Sequence, residues 1–553
     1  MPSELDRRFD DMLGKVIGPG GRLIIDHDDQ GRAIVANFPA TLPSFFRTFC
    51  ALNAQAEAVV AGDERLTFAD LDRWSEQLAK ALAARGLGKG ERIGIAMRNC
   101  PAWIVSYMAI AKAGGVATLI NGWWQPQELA HALQLAEPKL VISDAPRARR
   151  IETAGVELEQ VILDVDQPLE RALEPLLSAG GDELELPQVA PDDEATILFT
   201  SGSTGEAKGA LSTHRAVTTG VYAYSTGLMV LLGLLTQDNR APGSPPRTLV
   251  NVPLFHVTGE VPVMLNSFVV SRAMVPKWDA GEALRLIEKE KISYFIGVPT
   301  MSLELLNHPD RDKYDLSSLT DIAAGGSPRP VSHVKRLQEA FPGSQPALGY
   351  GLTETNAVGC TNFWGNYAAK PASTGRAHKP YVELAILGSD QARLPPGERG
   401  EIAIRSAANI KGYFRDAAAT QAAFTSTGFL RTGDIGYLDE DGYLFIVDRK
   451  KDIIIRGGEN IASAEVEAAL YACPEIAEAS VFGAPDERLC EVPVAVVHAH
   501  PDSKLSEDDL RDFLERRLAG FKVPERIIFS SEPLPKLGTG KIDKLALRAK
   551  HAA

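Results

Sequence analysis

The chain has 553 residues, 45% hydrophobic and 24% charged, with a formal net charge of −14. This length exceeds what one hydrophobic core usually serves, so two or more globular domains are expected. The acidic balance excludes a nucleic-acid binder that relies on bulk charge, and any anionic ligand must be held by local features.

In chain order, the opening stretch MPSELDRRFDDML is charged and lacks the apolar centre of a targeting signal. DLDRWSEQLAKALAARG (70–86) sets Leu71, Trp74, Leu78 and Leu82 at helical spacing, with Gly86 as a stop. RIGIAM (92–97) and KLVISD (139–144) read as short strands. GLMVLLGLL (227–235) is the most apolar run and is too short to cross a bilayer, so no transmembrane segment is expected. EALRLIEKEKISYFIGVP (282–299) reads as a helix followed by a strand. Alternation of this kind over about the first 440 residues implies α/β architecture with buried sheets.

Near Gly442 the texture changes. GYLFIVDRKKDIIIRGGENI reads as strand, charged turn, strand and glycine break. A helix from about Ser463, a hairpin in ASVFGAPDERLCEVPVAVVHA and a helix from Ser506 follow. In the last helix Leu510, Phe513, Leu514 and Leu518 share one face. The expected division is a large domain, 1–450, and a small α+β domain, 451–553, with the boundary in the charged turn 448–452. An ordinary exposed hairpin turn has the same local pattern. Cys50, Cys100, Cys360, Cys473 and Cys490 are scattered without a CxxC pair. That spacing argues against a zinc site or disulfide framework and suits a reducing cytoplasm.

The densest chemical signal is TSGSTGEAKG (200–209), with three glycines, four hydroxyls and one lysine just after the apolar, partly β-branched ATILF. Glycines let successive N–H groups turn toward one point, hydroxyls add donors, and Lys208 adds positive charge, a set that suits a phosphate chain. It is not a Walker A loop, because the lysine precedes Gly209 and Ala210 follows. A flexible surface loop has the same composition.

The order of residues in TSGSTGEAKG resembles the signature of the adenylate-forming enzymes, the group of acyl-CoA synthetases, luciferases and peptide-synthetase adenylation domains. The resemblance recurs in family order: LTFADLDRWSEQLAKAL, AMRNCPAWIVSYMAIAKAGGV, PLFHVTG, GGSP, GYGLTET, RTGD, GYLFIVDRKKDIIIRGGENI and PKLGTGKID. One departure is Ala207, where the family usually has a proline that would stiffen the loop.

The resemblance implies two steps. A carboxylate attacks the α-phosphate of ATP, giving an acyl-adenylate and pyrophosphate; a thiol then displaces AMP. Unit charges ~4 Å apart repel by about 1 kcal/mol in water and about 4 kcal/mol at an effective dielectric of 20, so cations and oriented donors are needed. By resemblance, Thr200, Ser201, Gly202, Ser203, Thr204, Gly205 and Lys208 cradle the phosphates. Gly325, Gly326, Ser327 and Pro328 form a backbone wall beside adenine and acyl group. In the segment Gly349, Tyr350, Gly351, the tyrosine stacks on adenine. Thr353 bonds the α-phosphate, and Glu354 holds Mg²⁺, since a carboxylate beside a triphosphate calls for a hard cation between them. Asp434 accepts the ribose hydroxyls, and Arg449 reaches ribose or phosphate. Lys541 is the adenylation lysine. His256 sits at the acyl entrance.

The family rotates a mobile small domain between the steps. Its pivot matches Lys451, and Gly457 and Gly458 line a channel for the pantetheine arm of coenzyme A. RGGENI resembles the acyl-CoA synthetase version, and no carrier domain follows Lys541, so free coenzyme A is the expected acceptor. By analogy Phe255, Val257, Gly325, Asn356 and Ala357 line the acyl pocket. The segments 255–260, 325–326 and 356–360 hold no lysine or arginine for a second carboxylate. A medium- or long-chain fatty acid is expected, with an aryl or steroid-side-chain acid, or an acyl-AMP ligase loading a carrier protein, as alternatives. ATP, Mg²⁺, coenzyme A and a small carboxylic acid are then the partners, without nucleic acid, and a homodimer is left open.

Overall fold

The computed structural model describes residues 2–551 apart from 182, 202–206, 244, 269–270, 328, 451, 457–458, 502 and 538–539, with the backbone alone at 201. The helix Phe68–Ala84 matches the expected apolar spacing, and its start is written locally. Thr67 accepts from the Asp70 N–H while the Asp70 carboxylate accepts from Thr67, a reciprocal cap. Gly86 follows its end with φ +76°, a conformation that costs glycine little.

Two large sheets fill the first four hundred residues. One carries Glu194–Ser201, Val116–Leu119, Arg92–Ala96, Leu140–Asp144 and Gln160–Leu163 in parallel, with Ala207–Thr213 and Gly412–Tyr413 added antiparallel at one edge. ATILF is thus a buried strand. The other sheet carries Gln345–Tyr350, Asp321–Ala324, Tyr294–Gly297, Arg247–Val250, Ser271–Met274 and Glu57–Ala61 in parallel, closed by antiparallel strands at both edges. Both sheets feed one continuous core. The helix Pro101–Lys112 lies wholly inside it, and every residue of PAWIVSYMAIAK is buried. An all-round apolar helix has nowhere else to go. Its one cation, Lys112, reaches Asp72 at 2.7 Å and Glu76 at 3.3 Å.

The α/β alternation stops short of residue 440. Glu383–Leu387, Gly400–Arg405, Leu430–Leu438 and Leu444–Arg449 form an antiparallel sheet. The last pair is joined by a tight turn in which Gly442 has φ +80°.

GLMVLLGLL belongs to a longer element than its apolar run suggests. The helix His214–Gln237 has 24 residues, and its most apolar 18-residue window has a mean hydropathy of 1.4, enough to cross a membrane by length and composition alone. Over half of that window is buried inside the protein, and the helix packs against the N-terminal helix Glu4–Ile17 and the strand Ala207–Thr213.

Beyond Arg449, Glu459–Ala462, Ile453–Arg456, Cys490–Ala499, Ile476–Asp486 and Arg526–Phe529 form a separate sheet. It has its own apolar clusters, distinct from the large core. The expected hairpin pairs Ile476–Asp486 with Cys490–Ala499. Ser506 caps the helix Glu507–Glu515, so Leu510 and Leu514 are buried within it while Leu518 lies past its end. The architecture is α/β, a large N-terminal part with buried sheets and a small α+β C-terminal part.

Candidate active site

Four parallel neighbours of the large sheet end nearly flush. The register aligns Gly297 with Ala324 and Ala324 with Leu348. Beyond Val250, Gly297, Ala324 and Tyr350 the chain enters PLFHVTG, a turn into the helix Pro299–Asn307, GGSP and GLTET. Ligands of open α/β sheets sit outside such carboxyl ends. Strand polarity therefore gathers motifs that the sequence spreads over a hundred residues. The cleft outside these strand ends opens into one cavity of about 2960 Å³ that runs on between the large and small parts of the protein.

The loop after ATILF turns back into a strand. Thr200 pairs with Lys208 and Ser201 with Ala207, a hairpin instead of the strand-to-helix step of a Walker A loop. His131 Nε2 lies 3.1 Å from the Ala207 carbonyl. Gly202, Ser203, Thr204 and Gly205 lie outside the described residues, as do Pro328, Lys451, Gly457 and Gly458.

Tyr413, unmarked by any motif in the sequence, links the two sheets. Its strand pairs with Ala207–Thr213, and the Lys208 ammonium lies 5.2 Å from its ring centroid. Its hydroxyl donates to Glu354 Oε1 at 2.8 Å. Burial raises the Glu354 carboxyl above its ordinary range, with the Tyr413 hydrogen bond opposing. Thr353 and Glu354 stand on a single 3₁₀ turn, followed by Asn356 and Ala357 at φ +48° and +64°. Two successive non-glycine residues in the left-handed region cost roughly 1–2 kcal/mol each, a strain typical of functional turns.

Tyr350 is buried, and its hydroxyl donates to Asp434 Oδ2 at 2.7 Å. Burial also raises the Asp434 carboxyl, while Arg449, 3.7 Å from Oδ1, opposes the shift. Ser327 lies half-buried in the bend after Ala324.

Lys541 arrives from the small C-terminal part. A Cβ built on Gly326 would lie 3.2 Å from its Cε and 3.3 Å from its Nζ. Gly326 has φ +77°, a backbone conformation that favours glycine there. Burial, then the Arg449 charge, lower the Lys541 ammonium to about 8. His256 takes the Thr258 N–H on Nδ1 at 3.3 Å, which leaves its proton on Nε2. Burial and then Lys541 lower it to about 3, so it is neutral near pH 7.

Phe255, Val257, Gly325, Gly349, Gly351 and Ala357 line the cleft. Asn356 differs from the acyl-pocket expectation. It is buried, and its amide bonds Ser212 at 3.0 Å and the Ala408 carbonyl at 2.7 Å, holding the strained turn to the neighbouring sheet. The structure supplies another wall from His214–Gln237, where Tyr224, Leu228, Leu231 and Leu235 recur at helical spacing along the cleft.

The sequence profile of AMP-binding enzymes matches residues 46–414. The chain belongs to the AMP-binding enzyme family. The profile of the AMP-binding enzyme C-terminal domain matches 465–541, ending on Lys541. This AMP-binding enzyme is 33% identical over 543 residues to a long-chain-fatty-acid–CoA ligase of Bacillus subtilis, covering 91% of this chain and 93% of that protein. It is 32% identical over 501 residues to 4-coumarate–CoA ligase 1 of Solanum tuberosum, covering 89% and 90%. Among solved structures, o-succinylbenzoate CoA synthetase from Bacillus subtilis with its acyl-adenylate intermediate superposes with a TM-score of 0.77 and 28% identity, covering 91% of this chain and 97% of that one. The same protein with ATP and magnesium ion matches at 0.77 and 27%, covering 91% and 99%.

Proposed function

We propose that this chain is an ATP-dependent, AMP-forming acid–thiol ligase that activates a carboxylic acid as its acyl-adenylate and transfers the acyl group to coenzyme A. The observation that carries this reading is Lys541. A residue of the small C-terminal part lies against Gly326 in the same cleft as Glu354, Asp434 and His256. An ammonium held there reduces the repulsion between two anions.

In the first step a carboxylate oxygen bonds to the α-phosphorus and the bond to pyrophosphate breaks. Lys541 and Thr353 steady the charge that develops on the α-phosphate, while Lys208 and the hydroxyls of 200–204 receive the departing pyrophosphate. Tyr350 offers a ring face to adenine, and its bond to Asp434 orients that carboxylate for the ribose hydroxyls. Arg449 adds charge beside them. Glu354 suits Mg²⁺. Among the described residues no group of three or more His, Cys, Asp or Glu gathers to hold a metal, so the cation would lean on phosphate oxygens for its other ligands. In the second step the thiol sulfur bonds to the acyl carbonyl carbon and AMP leaves. Rotation about Lys451 removes Lys541 and brings Gly457 and Gly458 to the pantetheine arm. The neutral His256 does not repel Lys541 at the acyl entrance.

For the acid we infer a medium- or long-chain fatty acid. The wall of Tyr224, Leu228, Leu231 and Leu235 supports an extended apolar chain. An aryl acid is the second reading, favoured by the near-equal similarity to 4-coumarate–CoA ligase. Pyrophosphate release and mass spectrometry over fatty, aryl and steroid-side-chain acids, with and without coenzyme A, test both. Acyl-CoA is the expected product. Acyl-adenylate that is never converted to acyl-CoA would indicate a carrier-loading ligase, and no adenylate with any acid would refute the reading.

A further inference from the structure

Lys541 lies on one of two short limbs, Lys536–Leu537 and Gly540–Ile542, that are joined to each other. Lys536 bridges Ile542, and the Leu537 N–H donates to the Lys541 carbonyl at 2.7 Å. Both limbs rest on one face of one helix of the large N-terminal part, Pro299–Asn307. In its first turn the Thr300 hydroxyl donates to the Gly540 carbonyl at 3.0 Å, one residue before the lysine. One turn later Glu304 Oε1 takes the Lys536 ammonium at 2.9 Å. Residues four apart on a helix lie on the same face, which is the spacing of these two anchors. Gly540 has φ +81°, and a Cβ there would meet Val298 at 3.1 Å, so the loop lies close against the start of this helix.

Glu304 is itself held. Its other oxygen accepts from the Trp278 indole N–H. Lys536 is shared with Glu478 of the small part at 3.0 Å. Burial pulls the Lys536 ammonium down, but Glu304 and Glu478 together outweigh it and raise it. Lys536 therefore keeps its positive charge across the neutral range.

We propose that Glu304 is a positioning residue for the first half-reaction: with Thr300 it seats the 536–542 loop so that Lys541 enters the cleft, and this seat is released for the thiol step. The inference rests on the adenylation reading above. Glu304 touches no reacting atom in this scheme and acts through Lys536.

The test uses the full chain, with Glu304→Gln to remove the charge and Thr300→Val to remove the other anchor. Two rates are measured, acid-dependent pyrophosphate release and acyl-CoA formation from supplied acyl-adenylate and coenzyme A. Either substitution is expected to lower the kcat for pyrophosphate release about three- to ten-fold, the effect of losing one partly exposed polar anchor. KM for ATP and acid and the thioester rate should stay within about two-fold of the parent. Glu304→Asp should restore part of the loss, since it keeps the charge. Equal loss in both half-reactions would reveal a general structural role and overturn the proposal, and so would an unchanged pyrophosphate rate. If the parent chain forms no adenylate with any acid, the functional reading fails with it; an active parent with insensitive variants sinks the positioning role alone.

Discussion

At the scale of single residues, burial in the cleft shifts the protonation of Lys541, His256, Glu354 and Asp434. Lys541, lowered to about 8 by burial and Arg449, is mostly protonated at neutral pH and loses its proton as pH rises through that value. Where adenylation needs the ammonium, kcat/KM for ATP should fall above about pH 8, with the limb displaced upward in kcat, because bound phosphates favour the charged form. Lys541→Ala should lower adenylate formation by at least about a hundred-fold, in the range of losing a preorganised charge. It should leave thioester formation from supplied acyl-adenylate largely intact; equal loss of both would contradict the assigned role. Tyr413→Phe addresses Glu354. Without the hydroxyl at 2.8 Å the carboxylate loses its orienting donor. The magnesium concentration for half-maximal pyrophosphate release should rise about ten-fold, as for other groups behind a metal ligand, and an unchanged requirement would detach Tyr413 from the metal.

At the scale of elements, the GYGLTET segment is the tightest part of the cleft. A Cβ on Gly351 would lie 2.1 Å from the Ala357 carbonyl oxygen, and that atom is backbone. The turn that presents Thr353 and Glu354 would have to open. Gly351→Ala is expected to cost about 1–3 kcal/mol of stability, the usual price of forced overpacking. It should lower adenylation more than a surface substitution of equal destabilisation, measured by thermal melts beside pyrophosphate release. Much of this element was legible in the sequence, since Thr353, Glu354 and their flanking glycines stand in one short motif. The fate of Asn356 was not. Nothing in NAVGC distinguishes a side chain facing the cleft from one bonded to Ser212 and Ala408, because those partners are remote in sequence. The helix His214–Gln237 shows the same limit: the apolar run 227–235 was visible, but the length of the helix around it and what packs on each face were settled by the tertiary contacts.

At the scale of the whole molecule, the chain joins a large core to a small one through the segment after Arg449. The contacts seen between them belong to one arrangement. Asp448 caps the helix Ser463–Tyr471 by accepting from the Ser463 N–H at 2.5 Å, Ser332 donates to the Tyr471 carbonyl at 3.2 Å, and Lys536 meets Glu304. A pivot at Lys451 predicts that Lys451→Pro slows thioester formation while adenylate still forms. An unchanged thioester rate would count against the pivot. The separate cores also predict that residues 1–450 alone unfold cooperatively and bind AMP without forming adenylate, read by thermal denaturation and nucleotide titration.

The sequence by itself determined the local pieces: glycines where the backbone must turn or approach closely, apolar runs long enough to be strands, a reciprocal cap before a helix, and motifs whose order indicated adenylate chemistry. These depend on neighbours a few residues away. Only the tertiary structure decided that Tyr413 would hold Glu354, that Asn356 would turn from the cleft, and that Glu304 would face the loop carrying Lys541. Each of those contacts joins segments far apart in the chain, and strand polarity, register and packing decide which side chains then meet.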